Sequence, residues 1–164
     1  MISWVVLSKT RAELTLDSLR VQLERLYPGR FLPPQDRRNF VIDGASPGAQ
    51  FLIQASIAGS VGLYMLENVA ANDEEFSDFA ANVSDAALRK SILEHEARLS
   101  VDLIEAAPDQ DCHPFIGKVI AALAPADSTV LVDPDRQRAI RFDAELRGQL
   151  MRGEFPGGFM PITA

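Results

Sequence analysis

The period of apolar and polar residues changes several times along this chain, and each change marks an element. Residues 3–9, SWVVLSK, form a short β-branched run that predicts a buried strand. From 14 to 27, Leu16, Leu19, Leu23 and Leu26 return every three or four residues, the spacing of one helix face. Pro28, Gly29, Pro33 and Pro34 then stop that helix. Residues 39–44, NFVIDG, read as a strand ending in an Asp-Gly turn. In 49–66, Phe51, Ile53, Ala55 and Ile57 alternate with Leu52, Gln54 and Ser56, which predicts one long strand. Gly59 and Gly62 mark a bend, a bulge or a close backbone approach in it.

The period returns to helical over 72–96. Phe76, Phe79, Ala80 and Val83 suggest one face, and Ser84 or Asp85 caps a second helix with Leu88, Ile92 and Leu93. Leu99, Val101 and Leu103 then alternate with Arg98, Ser100 and Asp102, a strand with one face buried. Pro114 suits the first turn of a helix carrying Phe115, Ile116, Val119, Ile120 and Leu123. STVLVDP and RAIRF make a strand pair around a turn, and Asp143 caps a last helix.

The order strand–helix–strand–strand over 3–57 recurs over 98–142 without matching residues. Strands joined by hairpins and interleaved with helices predict an α+β fold, a two-layer sandwich. The expected form is a ferredoxin-like βαββαβ core with an added strand hairpin and a C-terminal helix. One domain would cover residues 1–154, with a tail over 155–164.

Composition narrows the function classes. The net charge is −7, and the basic residues are scattered, nearest one another at 36–38 and 135–141. Nucleic-acid binders gather Lys and Arg on one face, so no nucleic-acid partner is expected. No apolar run is long enough for a membrane span, and the opening run lacks the basic flank of a signal peptide. The single cysteine, Cys112, has no partner in the chain for a disulfide, which fits a reducing, cytoplasmic setting.

The opening strand, the Leu-rich helix, FVIDG, ILEHEARLSVDLIEA and FIGKVIAALAPADSTVLVDP together resemble a bacterial family known as domain of unknown function 4261. In that pattern a His-x-Ala-like step enters a strand and an AAL-bearing helix follows. The matching positions here are His95–Ala97 and Ala121–Leu123, and the resemblance covers most of 1–145. It implies a fold and a bacterial origin, and no activity.

Three stretches could carry chemistry. Glu94-His95-Glu96 lacks the second His at i+4 of a zinc protease, since position 99 is Leu99. A helix C-terminus explains His95, because an imidazole there meets the last carbonyls. DQDCHP offers Asp111, Cys112 and His113 ahead of a helix, where a thiol can be activated. A pocket near His95, Cys112 and His113 would make the chain an enzyme or a small-molecule binder. The plainer reading is that Asp111 or His113 caps the helix. NDEEFSDF surrounds Phe76 and Phe79 with Asp73, Glu74, Glu75 and Asp78. Acids at a helix start complement its dipole. The same group could also dock a basic protein, with Phe as anchor and acids for steering. No phosphate loop, catalytic triad, metal set or cofactor motif is present. The sequence therefore favours a non-enzymatic protein-binding domain, of the kind that inhibits a basic partner as an immunity protein or antitoxin does.

Overall fold

The computed structural model describes residues 2–31, 38–57, 59–71 and 76–157. The chain runs β1 (Ser3–Ser8), α1 (Leu16–Leu26), β2 (Phe40–Asp43), β3 (Gln50–Ala55) and β4 (Gly62–Ala70). It continues through α2 (Ser77–Ala81), α3 (Ala86–Glu94), β5 (Ala97–Ala106), α4 (His113–Leu123), β6 (Val130–Asp133), β7 (Arg138–Arg141) and α5 (Ala144–Met151). The seven strands form one sheet in the order β2-β3-β4-β5-β1-β6-β7. Every pairing in it is antiparallel.

The α+β class expected from the pattern is what forms, with two differences in architecture. First, the helices lie on both faces of the sheet. Trp4 and Val6 of β1 point into a large core with α1, α4 and α5. Val5 and Leu7 of the same strand point the other way, into a smaller cluster with Phe79 and Ala80 of α2 and Ile92 of α3. Successive strand residues face opposite sides, so β1 has a helix layer on each. Second, only one crossover is compact. β5 and β6 flank β1 and run the same way, so β5–α4–β6 is a split β-α-β unit. The matching crossover β1–α1–β2 passes three intervening strands, which a ferredoxin-like unit does not.

The long strand expected over 49–66 folds instead into the hairpin β3–β4. Gly59 takes φ +82, a left-handed conformation that favours glycine. Ser60 N–H closes the turn onto the Ile57 carbonyl at 2.8 Å. Gly62 sits where a Cβ would lie 2.8 Å from the Glu105 carbonyl oxygen. Next to it the β4–β5 register shifts at Leu63/Tyr64, the bulge that the glycine pair suggests.

Local chemistry fixes the helix ends. The Thr15 hydroxyl accepts from Ser18 N–H at 3.1 Å, and Ser18 Oγ accepts from Thr15 N–H at 2.8 Å. Asp85 and Asp143 accept from Leu88 and Leu146 N–H at 3.0 and 2.8 Å. At the other end of α4, Arg147 donates to the carbonyls of Ala121, Ala124 and Pro125 at 2.6, 3.1 and 3.1 Å. A fixed guanidinium there meets carbonyls that the helix leaves unpaired. Phe115 centres the large core, its ring 4.4 Å from Tyr64 and 5.6 Å from Tyr27. Phe155 packs on Trp4 and His113 with ring centroids 5.7 and 4.9 Å apart, so the start of the tail docks on the domain.

Candidate functional site

The acidic stretch is only partly in view. Asp73, Glu74 and Glu75 lie outside the described residues. Asp78 is exposed on α2. Phe76, at φ 64, is half-buried, with its ring 6.3 Å from Phe79 and 6.0 Å from His95. Phe79 is 8% exposed and belongs to the smaller cluster. Its apolar area holds α2 to the sheet, so it cannot also be the solvent-facing anchor expected of it. Sequence spacing alone does not distinguish these roles, because a helix face turned to the core and one turned to a partner have the same period.

The three residues of the expected pocket do not converge. His95 ends α3, and its Nδ1 faces the Ile92 carbonyl. Nδ1 therefore donates to that carbonyl, while Nε2 is buried with no hydrogen-bond partner among the described residues. This is the helix-end role. His113 lies across the sheet, 5.5 Å from Trp4 and 4.9 Å from Phe155. Asp111 accepts from the His113 backbone N–H at 3.2 Å and lies 2.9 Å from its Nδ1, a helix-start role. Cys112 is fully buried in the large core. Trp4 and Cys112 belong to one cluster and Phe76 packs against the other, with the sheet between. A thiol and an imidazole must touch to act together, and here His95 and Cys112 are on opposite sides. Among the described residues, no group of three His, Cys, Asp or Glu could hold a metal. No helix among them is long and apolar enough to cross a membrane.

Burial raises the Tyr64 hydroxyl above the usual tyrosine range, with the neighbouring Cys112 sulfur, as an acceptor for that hydroxyl, a lesser cause. Tyr64 donates to the Ser60 carbonyl at 3.2 Å, tying β4 to the turn before it. A cleft of about 370 Å³ opens near Ser128, Asp143 and Arg147, but Arg147 and Asp143 are held there by their capping bonds.

A different surface emerges from the register. On the face away from the large core, Val5, Leu7, Val130 and Val132 lie under α2 and α3. The same face continues across β5, β4, β3 and β2. There Ile42, Leu52, Met65, Asp102 and Ser3 stand side by side in one row. Phe40, Gln54, Leu63 and Glu105 form the next. Ile42 is 43% exposed, and Leu52, Leu63 and Met65 are half-buried. Neither α2 nor α3 belongs to a cluster with these residues. At one end of the surface Gln54, Gly62, Leu63, Glu105 and Pro108 line a cleft of about 330 Å³. At the other, Arg98 pairs with Glu67 at 3.8 Å. Asp102 accepts a hydrogen bond from the Ser3 hydroxyl. Sequence reasoning missed this surface. Its one local signal is that Leu52, Leu63 and Met65 fall on the polar-facing phase of their strands.

Comparison with family models, curated proteins and solved structures returns no match for this chain.

Proposed function

We propose that this chain is a protein-binding domain and that the open half of the sheet face is where it binds. The row Ile42–Leu52–Met65 carries the reading: three apolar side chains on adjacent strands, with no helix of the described residues over them. Contiguous apolar surface beside polar residues is characteristic of interaction sites. The net charge of −7 supports the narrower version, an inhibitor of a basic partner, as an immunity protein or antitoxin would be. The resemblance to the domain of unknown function 4261 family belongs to the same proposal. It adds an expected bacterial setting and no activity.

The test compares the tagged full chain with an L52K/M65K variant in one cell extract. A stoichiometric protein retained by the first, lost from the second and rebound in purified form supports the reading. A partner held equally by both would move the site off this surface.

A further inference from the structure

We propose that the open half-face receives an amphipathic helix with basic flanks from another protein. This rests on the protein-binding reading and specifies the partner's chemistry. The first ground is architectural. On the same sheet face, α2 and α3 already cover Val5, Leu7, Val130 and Val132. Among the described residues a helix layer therefore exists over one half and ends before the other. Ile42, Leu52 and Met65 lie on three neighbouring strands. Two strand spacings come to about 10 Å, close to the width of one helix with its side chains. One guest helix along β3 would cover all three and continue the layer.

The second ground is charge. Among the paired residues of β3, β4 and β5 the ionic groups on this half-face are Glu67, Asp102, Glu105 and Arg98. Arg98 is 3.8 Å from Glu67, and no ion pair among the described residues reaches Asp102, which accepts only from the Ser3 hydroxyl, or Glu105 beside the apolar row. Glu105 is exposed and also borders the cleft next to Gln54 and Leu63. A guest with Leu on one side and Lys or Arg on its flank satisfies both the row and the carboxylates. A second copy of the chain does not, because each copy carries −7 and brings like charge to like.

The test uses two synthetic helices of about 18 residues, long enough to hold helical structure. Both carry Leu at helical spacing; one has Lys elsewhere, the other Glu. Each is titrated into the isotope-labelled full chain, and amide shifts are mapped. The Lys helix should move the amides of Ile42, Leu52, Leu63, Met65 and Glu105. The Glu helix should bind at least about fivefold more weakly. Leu52→Lys should weaken the Lys helix by about tenfold, and Glu105→Gln by about two- to threefold. Equal binding of both helices on these amides would overturn the charge inference and leave the protein-binding surface standing. No shift there from either helix would overturn both. Concentration-dependent broadening of these amides without any helix would assign the surface to a second copy and overturn the proposal.

Discussion

The two faces of this sheet share every strand and differ in what covers them. One face is packed from β2 to β6 by α1, α4 and α5, with Phe51, Tyr64, Val101, Trp4 and Leu131 all buried. The other is packed only where α2 and α3 reach, and beyond them it presents Ile42, Leu52, Leu63 and Met65. The first face carries most of the apolar burial and so most of the stability. The second has apolar residues whose removal from water the described fold does not complete.

That contrast can be broken most sharply at Phe115. Phe115→Ala should lower unfolding free energy by about 3–5 kcal/mol, as other large-to-small core changes do. Denaturant titration measures it; a loss as small as a surface change would mean that α4 does not anchor the core. Gly62→Ala comes next. Its Cβ would press on the Glu105 carbonyl, so a loss of about 1–3 kcal/mol is expected by the same titration. An unchanged midpoint would show that β4 and β5 can part at the bulge without penalty.

Alkaline pH tests the packed face through Tyr27, whose hydroxyl is pushed up from 10.0 to about 12 by burial. The folded state then holds its proton over a range where the unfolded state has released it. The stabilisation is complete below pH 10 and is lost as pH climbs through 12. Unfolding free energy should fall over that window, and phenolate absorbance of the folded protein should show no full step near 10. A two-tyrosine step at 10 would place both rings in water. The smallest effect belongs to the open face: Leu52→Lys should change stability by less than about 1 kcal/mol while impairing binding. A loss matching that of Phe115→Ala would make Leu52 part of the core.

Much of this was legible in the residue pattern because it is local. Leu19 and Leu23 face the core at the spacing that names their helix, and Asp85 and Asp143 stand where caps are needed. Gly62 marked the bulge because a close backbone approach excludes a side chain. His95 reads as a helix end and is one. Phe79 was misassigned because helical spacing says that a residue shares a face and does not say what the face meets. The pocket of His95, Cys112 and His113 failed for a related reason. His95 sits at the end of α3, and Cys112 and His113 sit at the start of α4, on opposite sides of the sheet.

The sequence by itself determined most of the elements, with their caps and breaks, the α+β class and the acidic net charge, since each follows from nearest-neighbour chemistry along the chain; it did not separate β3 from β4 within 49–66. Only the tertiary structure decided that α2 and α3 take the second face, that β1 enters between β5 and β6, and that Ile42, Leu52 and Met65 line up in one row. Those outcomes depend on pairings between strands far apart in the chain, and a side-chain period of two cannot say which strand lies beside which.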